Sequence, residues 1–286
     1  MPDLHIKTFG QTQVLVNGQE VKWSAQSARE LLLYLLAFPE GRTRAQTLND
    51  LWGQDVTAST CNRLRVTLHR LRGALGLPGT VYERNGRYQL APGVWRSSDV
   101  YGLYAALNEA EQQGGASNRI QALGKAIGAY AGDFLAEEEA EWAVRARDEH
   151  KSAYVQANLE LSLLHCQGGA CAHSVHSLVN ALRADPYVGE QYHQRLMACL
   201  SVVESKYTAI DHYRRFLKFL HDEVDDTPMV DTQALAVRVR AGEAICQRDD
   251  GPLGHLPLAR TCPLTPDGQC PGELQTLINQ DVRSGQ

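Results

Sequence analysis

Between Thr57 and Leu75 the chain carries Arg63, Arg65, Arg70 and Arg72 and no acidic residue. Ordinary surface helices interleave both signs, so an uncompensated row of guanidinium groups points to an anionic partner. Wound as a helix, Leu64, Leu68, Leu71 and Leu75 fall on one narrow stripe that must face a core. The opposite side shows Ser59, Asn62, Arg63, Val66, His69 and Arg70, with Arg65 and Arg72 on the flanks. That set suits a DNA major groove, where arginine pairs with guanine, asparagine with adenine, and a small apolar group meets a thymine methyl. Asn62, Arg63, Val66, His69 and Arg70 are therefore expected to face bases. Ser59, Arg65 and Arg72 are expected to meet phosphates.

Other chemistry is sparse. Seven cysteines stand at 61, 166, 171, 199, 246, 262 and 270, without a Cys-x-x-Cys pair. Cys166 and Cys171, with His165 and His173, make the most metal-like cluster, but its spacing is not that of a zinc site, and free thiols are expected. Glu137, Glu138, Glu139 and Glu141 point in different directions around a helix and read as a solvated acidic start rather than a metal or catalytic site. Phosphate-binding loops, serine-hydrolase elbows and zinc-hydrolase motifs are absent. No enzyme activity, cofactor or metal is expected.

The elements around the arginine helix read clearly. Leu4–Phe9 alternates as a strand, and Gln13–Val16 and Glu20–Trp23 flank Asn17-Gly18, a hairpin turn. Ser27 with Glu30 predicts a capping box for a helix running through Phe38. Thr43 caps a second helix that Gly53 ends. After the arginine helix, Val81–Arg84 and Arg87–Leu90 flank Asn85-Gly86, so Arg84 and Arg87 bracket a hairpin tip. Strands, two helices, a basic helix and a cationic hairpin, in that order, spell a winged helix-turn-helix with Arg84 and Arg87 on the wing.

The stretches Leu31–Arg42, Leu48–Gly53, Leu68–Gly76 and Gly86–Leu90 resemble the OmpR/PhoB-type winged helix. More closely they resemble its variant in SARP-type transcriptional activators, the antibiotic regulatory protein family. From Asp99 onward the chain reads helical, with Ser117 or Asn118 as a cap, a long helix from about Glu137 to Cys166, and further helices near 171–183, 188–203, 205–222 and 231–246. Asp133-Phe134-Leu135, Trp142, Ala184-Asp185-Pro186, Glu190, Leu196-Met197, Ala209, Tyr213 and Pro228 follow the order of the bacterial transcriptional activation domain (BTAD). Two departures stand out: Glu204-Ser205 replaces a usual Gly, and Val224-Asp225-Asp226 replaces a usual Leu-Gly.

The expected fold is mainly α with small β elements: a winged-helix domain over 1–96 and an all-α tetratricopeptide-like domain over 97–246. A Pro/Gly-rich tail over 247–286 reads as flexible. Net charge over the 286 residues is −5, which conceals two parts. Residues 1–96 hold 12 Lys+Arg and 7 Asp+Glu, and the remainder holds 16 and 26. A basic reader and an acidic helical partner domain follow. No secretory signal or membrane span is read, so a cytoplasmic location is expected. The resemblance implies double-stranded DNA as partner, binding at direct repeats, and contact with RNA polymerase, a sigma factor or a second protomer. The alternative is a protein-interaction scaffold whose winged helix no longer reads DNA.

Overall fold

The computed structural model describes residues 3–112 and 114–246. The expected tail and its Cys262 and Cys270 lie outside the described residues. The chain divides into two compact units, Met1–Tyr154 and Val155–Gln286. The fold is mainly helical with two small antiparallel sheets near the N-terminus, as the sequence predicts.

In the first unit, β1 (Leu4–Lys7), β2 (Gln13–Val16) and β3 (Gln19–Glu20) form one sheet in sequence order. Asn17 and Gly18 take φ of 52° and 76° at its turn, the positive pair that a two-residue hairpin loop requires. Next come α1 (Gln26–Ala37), β4 (Arg42–Thr43), α2 (Arg44–Trp52), α3 (Ala58–Leu75), β5 (Val81–Arg84) and β6 (Arg87–Leu90). β6 lies between β4 and β5. The run from Leu31 to Ala37 in α1 is buried throughout, which makes α1 the central helix of this unit. Gly41 stands where β4 begins, at φ 81°, and a Cβ there would lie 2.9 Å from the Tyr88 carbonyl oxygen. Only glycine admits that approach.

Helix α4 (Pro92–Trp95) leads to α5 (Asp99–Gln112), α6 (Ala116–Ala129) and the first part of α7 (Glu141–Gln167). These elements share a core with the winged helix, since Val100, Leu103, Ala126, Phe134 and Trp142 belong to the same buried cluster as Ile6 and the α1 leucines. The join is tied by hydrogen bonds. The Asp99 carboxylate accepts from the Thr8 amide at 2.6 Å, the Thr8 hydroxyl at 2.7 Å and the Phe9 amide at 2.9 Å. It also accepts from the Val100 amide at the start of α5. The Leu135 amide donates to the Thr8 carbonyl and the Gly10 amide to that of Asp133. Arg147 secures the same turn by donating to the carbonyls of Phe134, Leu135 and Glu138. Phe9 packs against Tyr130, Phe134 and His150.

The second unit holds the rest of α7, then α8 (Cys171–Ala184), α9 (Glu190–Val203), α10 (Lys206–Phe219), a π-helical turn over Leu220–Val224, and α11 (Val230–Ala241). Neighbouring helices pack against one another through Leu178 and Ala181 of α8, Leu196 and Met197 of α9, and Ala209 and Tyr213 of α10. The two departures from the BTAD pattern are built locally. Ser205 caps α10 by accepting from the Thr208 amide, the task that Ser performs at helix starts. Asp225 takes φ 55° after the π turn, a left-handed conformation that Asp tolerates better than most residues.

Three expectations are corrected. Helix α1 begins at Gln26 with Ala25 in the cap position and no side-chain cap, so Ser27 lies inside its first turn. Capping boxes form instead at Thr43 with Gln46 and at Thr57 with Thr60. Gly115, rather than Ser117 or Asn118, precedes α6. Helix α7 starts at Glu141, so Glu137, Glu138 and Glu139 stand before it.

Asp99→Ala leaves the two buried-side amides and the Thr8 hydroxyl without their charged acceptor, and should lower stability by about 3 kcal/mol, read by urea unfolding. Burial holds His150 at about 4, and also His193 and His212, despite a raising hydrogen bond that the His193 ring donates to the Pro186 carbonyl. Unfolded, each titrates near 6.5. The unfolded chain therefore binds more protons between these values, and stability should fall as pH drops from about 6.5 toward 4, by up to roughly 1.4 kcal/mol per pH unit per histidine. A melting temperature unchanged between pH 7 and 5.5 would contradict this burial.

Candidate nucleic-acid interface

Helix α3 is placed by its apolar stripe. Leu64, Leu68, Leu71 and Leu75 are buried, and Thr67 joins them with its hydroxyl donating to the Arg63 carbonyl. Helix α3 packs against α1. Thr57 and Thr60 cap its start, and Gly76 at φ 64° ends it. With that face fixed, Ser59, Asn62, Arg63, Arg65, Val66, His69 and Arg70 are all exposed, and no acidic residue interrupts them along the helix. Val66 is 39% exposed, high for an aliphatic side chain on a helix with so buried a stripe.

Arg63 is exposed yet held. Its guanidinium lies 4.1 Å over the Trp52 ring and donates to Gln54 Oε1 at 3.2 Å. Trp52 therefore serves as a platform for Arg63 at the turn between α2 and α3. A stacked, singly bonded guanidinium loses little further freedom when it meets a partner.

The wing is the β5–β6 hairpin, with Asn85 and Gly86 at φ 52° and 72°. Arg84 and Arg87 are paired directly across the strands. Like charges opposite one another repel, and the structure separates their roles. Arg84 is exposed, whereas Arg87 is half-buried and donates to the Gly41 carbonyl at 2.9 Å. Arg72 behaves similarly: its Nη2 donates to the Val81 carbonyl at 3.0 Å, tying the end of α3 to the first wing strand. Of the ten residues singled out in the sequence, eight present free or exposed side chains and two, Arg72 and Arg87, are committed to the backbone of neighbouring elements.

One cation escaped the sequence reading. Arg44, exposed at the start of α2, donates from Nε and Nη2 to the Tyr88 hydroxyl on β6, each at 3.2 Å. No periodic signal marks it, because its partner lies 44 positions away. Behind it, Arg42, Asp50 and Tyr34 form a closed set: Arg42 donates to Tyr34 and Asp50, and Tyr34 donates to Asp50. Burial alone would raise Asp50, but the hydrogen bonds from Tyr34 and Arg42 hold its carboxyl below the usual range.

Among the described residues, no cluster of His, Cys, Asp or Glu could hold a metal ion. Nor is any helix there long and apolar enough to cross a membrane.

With this geometry in view, the relationship to known proteins is informative. Residues 100–240 match the family model of the bacterial transcriptional activator domain. A solved structure of Mycobacterium tuberculosis EmbR in complex with a low-affinity phosphopeptide has a similar fold, with a TM-score of 0.65 at 17% identity. The likeness covers 85% of this chain and 66% of the EmbR chain. No curated protein sequence matches. The resemblance to SARP-type activators is borne out: a winged helix stands ahead of a bacterial transcriptional activator domain with tetratricopeptide-like helices.

The positions of Arg72 and Arg65 generate a test. Arg72→Ala removes the helix-to-wing hydrogen bond and should cost about 1–3 kcal/mol of stability in urea unfolding. Arg65→Ala, on an exposed face, should stay within about 0.5 kcal/mol of the parent. Equal effects would mean that Arg72 is no strut.

Proposed function

We propose that this chain is a sequence-specific DNA-binding transcriptional regulator, acting as an activator. The observation that carries the reading is the exposed, acid-free face of α3, flanked by Arg84 of the wing. Asn62, Arg63, Val66, His69 and Arg70 meet base edges in the major groove, with Arg63 presented by Trp52. Ser59, Arg65 and Arg84 take phosphates, and Arg44 adds a cation beside the wing strand. Arg72 and Arg87 act as positioning residues that fix the wing relative to the reading helix. Protomers bind direct repeats head to tail, since such sites impose translation rather than a two-fold axis. The acidic helical region contacts RNA polymerase, its sigma factor or the neighbouring protomer.

The full chain should select a short motif from a random-sequence DNA library. Its affinity should fall with a log–log salt slope of roughly −0.9 per phosphate neutralised. Arg65→Ala should weaken binding to all sequences alike and reduce that slope by about 1. Arg70→Ala should cost about 1–3 kcal/mol and relax preference at one position of the motif. Failure to enrich any motif, with no salt-dependent binding, would sink the proposal and favour a scaffold.

A further inference from the structure

The end of α7, the start of α8 and the middle of α9 bring three thiols into one neighbourhood. Cys199 of α9 and Cys166 of α7 share a side-chain hydrogen bond, and Cys171 and Arg195 lie close enough to act on Cys199 electrostatically. Cys166 and Cys199 are half-buried, and Cys171 is buried. Arg195 sits one helical turn before Cys199 and is 5% exposed. Its Nε and Nη2 are buried with no hydrogen-bond partner among the described residues. A buried guanidinium with idle donors is costly, and it favours an anion forming beside it.

None of this serves DNA reading, and it lies in the other compact unit. Nor does it suit a metal: among the described residues, no group of three or more His, Cys, Asp or Glu is placed to hold an ion. A hydrogen-bonded pair of half-buried thiols next to an unsatisfied cation is instead the setting in which a thiolate forms and reacts.

We propose that Cys166 and Cys199 form an oxidative modification site, in which hydrogen peroxide converts the two thiols to a disulfide. The hydrogen bond with Cys166, then burial, push the Cys199 thiol up; in this scheme Cys166, at the end of α7, reacts first and Cys199 resolves it. Cys166 loses its proton and its sulfur attacks a peroxide oxygen. The O–O bond breaks, the proton leaves with the departing hydroxide as water, and Cys166 becomes a sulfenic acid. The Cys199 sulfur then attacks the Cys166 sulfur. The S–S bond forms, the S–O bond breaks, and the hydroxyl departs with the Cys199 proton as a second water. The two sulfurs together lose two electrons, and one peroxide is reduced. Arg195 steadies the transient thiolate. The product links the end of α7 to α9, so the packing of these helices responds to oxidant.

The test uses the full chain, fully reduced and then exposed to hydrogen peroxide, with peptides mapped by mass spectrometry. The expected result is a single Cys166–Cys199 cross-linked peptide, two hydrogens lighter than its parts and restored by dithiothreitol. Cys199→Ser should give no cross-link and leave a Cys166 sulfenic acid that dimedone traps. Cys171→Ser should leave the cross-link intact. Arg195→Met should slow oxidation of Cys166 at least fivefold, and Arg195→Lys should keep most of the rate. A cross-link through Cys171, dimedone capture at Cys199 but not Cys166, or oxidation of Cys166 no faster than that of Cys61 would each overturn the proposal.

Discussion

Burial of four leucines on one side of α3 is the constraint from which the rest of the winged-helix head follows. Leu64, Leu68, Leu71 and Leu75 have nowhere to go but toward α1, whose own leucines fill the centre of the first unit. Side chains on a helix cannot choose their faces independently. Once the leucines turn inward, Asn62, Arg63, Val66, His69 and Arg70 turn outward together. A helix that carried the same arginines without the stripe would present them in no fixed direction. The hydrophobic effect, which reads no sequence, thus orients the groups proposed to read one.

Around that helix the structure spends its arginines in two ways. Arg65, Arg70 and Arg84 stay exposed, while Arg72, Arg87 and Arg42 are drawn into hydrogen bonds that hold α3, the wing and α2 together. The second group gives the first a rigid frame. Arg63 stands between them, exposed but stacked on Trp52. Preorganisation of this kind lowers the conformational entropy lost when a long side chain meets its partner.

Much of this was legible in the sequence because its causes are local. Asn17-Gly18 and Asn85-Gly86 announce their hairpins through the φ values they tolerate, and the leucine spacing announces the buried side of α3. The Ser27 capping box was not realised, because α1 starts two residues earlier, with Ala25 in the cap position. Ser205 and Asp225 show how a family pattern can change its letters and keep its geometry. The inward turn of Arg72 and Arg87, the pairing of Arg44 with Tyr88, and the meeting of Cys166 with Cys199 join residues that are distant along the chain or on different elements. Periodicity carries no information about such pairs.

The Asp99 knot has a consequence for how this head can be exchanged. One carboxylate receives two backbone amides and a hydroxyl from β1's end, and the 133–135 turn returns backbone bonds to the same strand. The boundary between sequence patterns near residue 97 is therefore not a seam in the folded protein. Chimeras that splice a foreign winged helix at that point would sever a continuous core and leave Asp99 facing the wrong strand. Recombination that carries the chain through the 133–135 turn and Arg147 along with the head keeps the knot whole, so the exchangeable module is larger than the winged helix it contains.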